Sequence, residues 1–141
     1  MKKVCVLGLG YIGLPTSLIM ADSGMEVLGV DINKKVIDSI NLGQVHIKEP
    51  GLDNLLRKVI GKNFKASQYP KNSDVFIIAV PTPFKVNNND IPEPEIKFVL
   101  EAAEAISKVI KKGDLVILES TSPVGTTEKV HNLICNKSNL M

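Results

Sequence analysis

The sequence lacks tryptophan, and aromatic residues make up only 4% of its 141 residues. Neither sign of charge is in large excess, because 17 basic residues face 15 acidic ones and the formal net charge is +2. Arg57 is the only arginine, which excludes the clusters of guanidinium groups that grip phosphates or read guanine. The balance of charge argues against nucleic acid or an anionic membrane surface as the main partner.

Cysteine is also scarce, and long apolar runs are missing. The two cysteines, Cys5 and Cys135, fit neither a disulfide framework nor the spacing of metal ligands, so we expect no bound metal. No apolar stretch reaches the ~20 residues that a membrane-spanning helix needs. No signal-peptide pattern precedes Val4. These features predict one domain in the cytoplasm, which buries roughly 70% of the surface of the unfolded chain.

Short runs rich in valine and isoleucine indicate the strands. Four of them, at 3–8, 26–32, 74–80 and 114–120, are predicted to be buried parallel strands. They do not alternate apolar with polar residues, which is typical of strands that are covered on both faces. A weaker strand is predicted at 63–67.

Helical patterns separate these strands. Apolar residues recur at helical spacing within 52–60 and within 96–110. The longer helix is expected to begin at Glu93 and Glu95 and to end at lysines before Gly113, an order of charges that suits the helix dipole. The alternation predicts an α/β fold with a Rossmann-type doubly wound parallel sheet in three αβα layers. Such a sheet normally has six strands, so we expect this one to stop before its last strand.

A loop and a helix follow the third and fourth predicted strands, at the edge of the sheet where such folds bind ligands. The proline- and asparagine-rich segment 81–94 is predicted to be an irregular loop. A last helix is expected to start near Gly125. Ser122 and Thr126 precede or open it, and we interpret them as helix-capping residues.

The stretch GLGYIG carries the pattern G-x-G-x-x-G at Gly8, Gly10 and Gly13. It follows a predicted strand and precedes the helical pattern of residues 14–19, which is the context of a dinucleotide-binding turn. In such a turn the first glycine permits the tight bend, the second lets a pyrophosphate approach the backbone, and the third lets helix and strand pack closely. The helix N-terminus then offers unpaired N–H groups to the phosphates.

Asp31 ends the second predicted strand, where a carboxylate hydrogen-bonds the ribose hydroxyls of a bound dinucleotide. It repels a 2′-phosphate, so the sequence favours NAD over NADP as the cofactor. Lys34 and Lys35 follow it and are interpreted as solvated residues at the start of a helix.

Hydroxyl groups follow two further strands. Thr82 comes after the strand at 74–80, and Thr121 comes after the strand at 114–120. The carboxyl ends of parallel strands meet at one edge of the sheet, so both side chains are expected over the cofactor cleft. We predict that they contact ribose, nicotinamide or a water molecule.

Together these stretches resemble the UDP-glucose/GDP-mannose dehydrogenase family over nearly the whole chain. The matching motifs occur in order and are GLGYIGLP, GVDIN, INLGQVHIKEPGLDNLL, IAVPTPF and LVILESTSPVGTTEKV. Three shorter stretches look most like the UDP-N-acetyl-D-mannosamine dehydrogenase branch, namely HIKEP, VPTPF and ESTSPVGTTE.

The resemblance implies that residues 1–141 are the N-terminal NAD-binding domain of a longer dehydrogenase whose UDP-sugar domains lie beyond this chain. Family members oxidise a sugar hydroxymethyl group to a carboxylate with two NAD, and a cysteine, a lysine and an asparagine in a later domain carry the chemistry. Neither Cys5 nor Cys135 lies in the family's cysteine motif. The resemblance therefore implies an inactive isolated domain, and a full-length homodimer or larger assembly built through other segments.

It also implies site residues. The family's NAD-contacting positions match Tyr11, Ile12, Asp31, Thr82 and Thr121 beside the glycines of the turn. Thr121 matches a threonine that helps to position the hydrolytic water. His46 and Glu49 lie in a loop that resembles one near the active site, and we interpret them as solvated.

Other functions stay open from the residues alone. The same domain occurs in UDP-glucose dehydrogenases and in dehydrogenases of other UDP-sugars. Lone Rossmann domains also act as non-catalytic regulators that sense NAD, and some related folds bind S-adenosylmethionine in methyltransferases. The regulatory class does not require the motifs VPTPF or ESTSPVGTTE, and the glycine turn of a methyltransferase need not favour a pyrophosphate.

Overall fold

The computed structural model describes residues 2–86, 92–138 and 140, and within them a five-stranded parallel sheet forms the centre of the fold. Its strands are β1 (Lys3–Leu7), β2 (Glu26–Val30), β3 (Phe64–Ser67), β4 (Val75–Ile78) and β7 (Leu115–Leu118). They lie side by side in the order β3-β2-β1-β4-β7. The direction in which the sheet grows reverses between β1 and β4, which is the switch point where doubly wound sheets bind ligands.

Helices cover both faces of the sheet. In chain order they are α1 (Gly13–Asp22), α2 (Lys34–Asn41), α3 (Leu52–Val59), α4 (Lys97–Ser107) and α5 (Thr126–Ser138). One apolar core lies between the sheet and α1, α2 and α3, and a second lies between the sheet and α4 and α5. The predicted three-layer Rossmann-type α/β fold is confirmed, including the weaker strand at 63–67.

The prediction that every strand is buried on both faces is wrong for β7. Leu115 and Ile117 are 54% and 40% exposed, while Val116 and Leu118 pack into the core beside α4 and α5. β7 is the outermost strand of the sheet in the described residues, and it pairs with β4. On the other face, α1 contacts β1, β2 and β3, and α2 contacts β3, so both helices lie over the strands farther from β7.

The segment 81–94 is not simply irregular, because β5 (Phe84–Val86) and β6 (Pro92–Pro94) form an antiparallel hairpin. The asparagine-rich tip at 87–91 lies outside the described residues. Glu95 joins this hairpin to α4. Its N–H donates to the Pro83 carbonyl at 2.8 Å, and its carboxylate pairs with the Lys85 ammonium group.

The predicted bounds of α4 are also too wide. The helix begins at Lys97 because Pro92–Pro94 is extended, as residues around prolines tend to be. The Glu95 carboxylate accepts a hydrogen bond from the Lys97 N–H at 2.9 Å, so it acts just before the helix rather than in its first turn. The helix ends at Ser107, and Lys111 and Lys112 follow it.

Two smaller expectations also change. Ile19, which the helical pattern of residues 14–19 placed on the apolar face, is 61% exposed on α1. Helix α5 begins at Thr126, whose hydroxyl donates to the Pro123 carbonyl at 2.8 Å. The position before the helix is therefore Gly125, and the prediction that Ser122 or Thr126 caps α5 is wrong.

On the outer edge of β3, a side chain hydrogen-bonds to backbone groups that no neighbouring strand pairs with in the described residues. The Asn41 amide donates to the Ala66 carbonyl at 3.0 Å, and its oxygen accepts the Ala66 N–H at 2.9 Å. The amide thus copies the pair of hydrogen bonds that a neighbouring strand would make. It protects a partly buried edge that otherwise offers unpaired backbone groups.

Replacing this amide is expected to weaken the fold. In Asn41→Ala both Ala66 backbone groups lose their partners, so the free energy of unfolding should fall by about 1–3 kcal/mol. Denaturant unfolding of the variant measures the loss. Asn54→Ala is the matched control, because Asn54 is exposed on α3 and its replacement should change stability by less than ~0.5 kcal/mol. Equal losses in the two variants would contradict the role of Asn41.

Candidate functional site

A cleft of about 640 Å³ opens at the carboxyl ends of the strands, across the switch point between β1 and β4. Its volume lies within the range of sites for small molecules and cofactors. Of the residues predicted from sequence, those that line it are Gly8, Gly10, Tyr11, Ile12, Asp31, Thr82 and Thr121. Gly13 does not line the cleft.

Gly8 and Gly13 are required by the packing of the turn itself. Gly8 has φ +97°, and a Cβ built on it would lie 2.5 Å from the Ala79 carbonyl oxygen. A Cβ on Gly13 would lie 1.7 Å from the Gly8 carbonyl oxygen. The start of α1 therefore packs directly on the β1 turn, and Gly13 serves the cleft by this close packing rather than by contact.

Gly10 differs from these two glycines. A Cβ built on it would meet no described atom within 4 Å, so packing does not explain the missing side chain. Gly10 lines the cleft, and the missing side chain leaves its backbone open to a ligand. This agrees with the predicted role of the second glycine, which is to let a pyrophosphate approach the chain.

The N-terminus of α1 faces this open backbone. Ile12 occupies the position before the helix, makes no side-chain cap, and no acidic residue lies in the first turn. The first N–H groups of a helix lack partners within the helix, and they carry the positive end of its dipole. The Leu14 N–H already donates to the Gly10 carbonyl at 3.1 Å, and Pro15 has no N–H. The donors that an anion can meet at this end of the cleft are therefore the backbone N–H groups before Leu14, and no side chain caps them.

Asp31 connects the end of β2 to the glycine turn. One carboxylate oxygen accepts the Leu9 N–H at 3.0 Å, and the other accepts the Asn33 N–H at 2.9 Å. Each carboxylate oxygen has a second lone pair, so two further donors can still bind. The carboxylate therefore both holds the turn in place and remains able to accept from two neighbouring hydroxyls, such as those of a ribose.

The ends of β4 and β7 meet on the other side of the cleft. Thr82 and Thr121 both line this half, as predicted. Ser120 lies between the two strand ends, and its hydroxyl donates to the Val80 carbonyl at 2.7 Å. Ser120 thus ties the two strand ends together and fixes the backbone next to Thr121.

Sequence reasoning missed one wall of the cleft. Phe98, Glu101, Ala102 and Ala105 of α4 line it, although the helix was predicted only as a packing element. These four residues recur at helical spacing, and the helices of a protein core show the same spacing, so the sequence did not distinguish this wall. His46 is exposed on the rim, while Glu49 is exposed outside the lining, so the expectation of a solvated loop holds for both side chains.

The cysteines stay outside the cleft. Cys5 is fully buried in β1, and burial raises the pKa of its thiol to about 12, so it stays protonated and unreactive. Cys135 lies on α5 beside a separate cavity of about 410 Å³. In the described part of the chain, no group of three or more His, Cys, Asp or Glu side chains can hold a metal ion. No helix there is long and apolar enough to cross a membrane.

The residues of the cleft fit a dinucleotide. The open backbone at Gly10 and the uncapped start of α1 suit a pyrophosphate, and Asp31 suits the ribose on one side of it. Thr82 and Thr121 offer hydroxyls to the other half. The carboxylate at the ribose position disfavours a 2′-phosphate.

Residues 2–141 match the NAD-binding domain of the UDP-glucose/GDP-mannose dehydrogenase family. The chain is 57% identical over 130 residues to the UDP-N-acetyl-D-mannosamine dehydrogenase of Campylobacter jejuni. This match covers 92% of this chain and 31% of that protein. It is 48% identical to the NDP-N-acetyl-D-galactosaminuronic acid dehydrogenase of Ralstonia nicotianae, over 92% of this chain and 30% of that protein.

A solved structure shows the same likeness in three dimensions. The UDP-N-acetyl-mannosamine dehydrogenase of Staphylococcus aureus superposes with a TM-score of 0.86 at 44% identity. The match covers 95% of this chain and 32% of that one. The chain therefore spans about a third of the length of these relatives.

Proposed function

Because this chain belongs to the UDP-glucose/GDP-mannose dehydrogenase family and forms its NAD-binding domain, we propose that it is the cofactor-binding part of an enzyme that oxidises UDP-N-acetyl-D-mannosamine to UDP-N-acetyl-D-mannosaminuronate. The observation that carries the choice of sugar is the 57% identity to the Campylobacter jejuni enzyme over 92% of the chain. The cleft supports the choice of cofactor through the open backbone at Gly10 and the carboxylate of Asp31.

The chemistry sets the demand on this domain. Oxidising a hydroxymethyl group to a carboxylate removes four electrons, and the second oxygen comes from water. Each NAD accepts one hydride, which is two electrons, so two NAD are reduced for each sugar. The domain must therefore bind the cofactor, release its reduced form and bind a second oxidised molecule for every sugar that is converted.

The cleft residues divide this work between the two halves of the cofactor. The pyrophosphate would lie at the start of α1, beside Gly8, Gly10, Tyr11 and Ile12, and Asp31 would accept from the adenosine ribose. On the other half, Thr82 and Thr121 would hold the nicotinamide ribose, and Thr121 would also position the water that enters the product. Gly13 supports the site by keeping the start of α1 packed against the turn.

The nucleophile and the sugar-binding residues belong to other parts of the enzyme. Cys5 is too buried to react, and Cys135 lies outside the cleft. We expect the isolated chain to bind NAD but to form no NADH from any UDP-sugar. Absorbance at the NADH band in a purified sample measures this, and turnover by the chain alone would contradict the assignment. The complete enzyme is proposed to be a homodimer or larger, assembled through segments outside this chain.

A second candidate substrate has support from one relative. The 48% identity to the NDP-N-acetyl-D-galactosaminuronic acid dehydrogenase of Ralstonia nicotianae favours an NDP-N-acetylgalactosamine-type sugar as the alternative. UDP-glucose is the third candidate substrate within the family. A regulatory NAD sensor or a methyltransferase has no support beyond the shared fold.

Domain exchange tests the proposal. This chain replaces the matching segment of the Campylobacter jejuni enzyme in one chimera and of the Ralstonia enzyme in another, and NADH formation is followed with each host's own sugar nucleotide. We expect the first chimera to form two NADH per sugar and to be the more active relative to its parent. Gly10→Ala in the grafted chain should lower this activity at least about tenfold when NAD is limiting, because the added methyl group weakens NAD binding. A folded chimera without NADH formation, or higher relative activity in the second host, would overturn the assignment.

A further inference from the structure

Three carboxylates but no lysine or arginine line the cleft in the described part of the chain. Its ionisable lining residues there are Asp31, His46, Glu101, Glu119 and Tyr11. A dinucleotide brings two phosphate charges of its own. Backbone N–H groups at the start of α1 would receive these phosphates, but no lysine or arginine of this lining offsets the carboxylates.

The carboxylates lie in different halves of the cleft. Asp31 ends β2, on the side that takes the adenosine ribose. Glu119 follows β7 and Glu101 lies on α4, so both are in the half beyond the switch point, where the nicotinamide must lie. The backbone N–H of Glu119 donates to the Ile78 carbonyl at 2.9 Å, which fixes its position beside the end of β4.

Glu119 carries the less compensated charge of these two carboxylates. Glu101 has the Lys97 ammonium group 3.7 Å away, one turn earlier on the same helix. Glu119 is exposed, lines the cleft and lies two residues before Thr121, and no ion pair of its carboxylate is found among the described residues. Its negative charge therefore acts on whatever occupies the nicotinamide half.

The two redox states of NAD differ by one charge in this half. The oxidised nicotinamide ring is positive, and hydride transfer makes it neutral. We propose that Glu119 makes the cleft selective for the redox state of its cofactor, so that NAD is bound more tightly than NADH. The inference rests on the proposed NAD function of the cleft. Glu119 would thereby favour the replacement of NADH by a second NAD, which two successive oxidations require.

The test compares dissociation constants for NAD and NADH in the intact chain and in Glu119→Gln, by calorimetry and by NADH fluorescence. The unsubstituted chain should bind NAD more tightly than NADH. In Glu119→Gln the ratio of the two constants should move toward one by about two- to fivefold, the effect of one ion pair between partly exposed groups. Raising the salt concentration should shrink the difference between the chain and the variant.

Two variants complete the comparison. Glu101→Gln should move the ratio less, because Lys97 already offsets that carboxylate. Glu26→Gln removes the same charge from the start of β2, at the opposite edge of the sheet, and should leave the ratio unchanged. The inference is overturned if NAD and NADH bind equally to the unsubstituted chain, or if Glu119→Gln changes the ratio no more than Glu26→Gln. Failure of a folded chain to bind either form overturns the proposed cofactor function as well.

Discussion

Gly13→Ala is expected to destabilise the chain by about 3 kcal/mol or more, because its Cβ would overlap the Gly8 carbonyl oxygen. The neighbouring atom is backbone, so relief requires α1 to move away from β1 as a unit. For a chain of this size the melting temperature should fall by about 10 °C or more. Thermal unfolding followed by circular dichroism measures the shift.

Gly10→Ala is the matched control for this prediction. Its added methyl group meets no described atom within 4 Å, so the melting temperature should change little. NAD affinity should nevertheless fall at least about tenfold, because the methyl group occupies the backbone that the pyrophosphate approaches. If both variants lost stability equally, or if Gly10→Ala bound NAD normally, the division between a packing glycine and a binding glycine would be wrong.

Asp31→Ala is expected to weaken NAD binding by about 10- to 100-fold, the value of one or two hydrogen bonds to a charged acceptor. The loss has two sources, because the carboxylate also holds the Leu9 N–H of the glycine turn. NADP should lose less affinity than NAD, since removing the carboxylate also removes its repulsion of the 2′-phosphate. Calorimetric titration with both cofactors measures the two effects.

The control for Asp31 is a carboxylate outside the cleft. Asp38 is exposed on α2 and pairs with Lys34 at 3.1 Å. Asp38→Ala should leave the affinities for NAD and NADP unchanged, since surface ion pairs contribute little. An Asp31→Ala variant that retains its affinity for NAD would show that the carboxylate contributes nothing to binding. A variant that loses affinity but keeps its preference for NAD over NADP would show that the carboxylate only holds the turn.

The fold was predictable because buried parallel strands and dinucleotide turns leave strong local signals. The apolar runs located the sheet, and the spacing of Gly8, Gly10 and Asp31 placed the cleft at its carboxyl edge. The different reasons for Gly10 and Gly13 were also predictable in outline. In the structure, the space next to Gly10 is open, whereas Gly13 lies in close contact with the backbone of Gly8.

Long-range geometry explains what the sequence did not reveal. The exposure of Leu115 and Ile117 depends on which strand lies outermost, and an apolar run does not carry that information. The start of α4 depends on Glu95, whose hydrogen bonds join a hairpin to the helix from outside. Glu119 opens the stretch ESTSPVGTTE, but its place in the cleft follows from the pairing of β4 with β7, which the stretch alone does not reveal.

Calorimetric titration of the chain with NAD and then with NADP shows whether this cleft binds NAD through the glycine turn and Asp31. We predict saturable binding of one NAD per chain, with a dissociation constant between about 1 µM and 1 mM, and at least about tenfold weaker binding of NADP. A folded chain that binds neither cofactor, or binds NADP as tightly as NAD, would contradict the account.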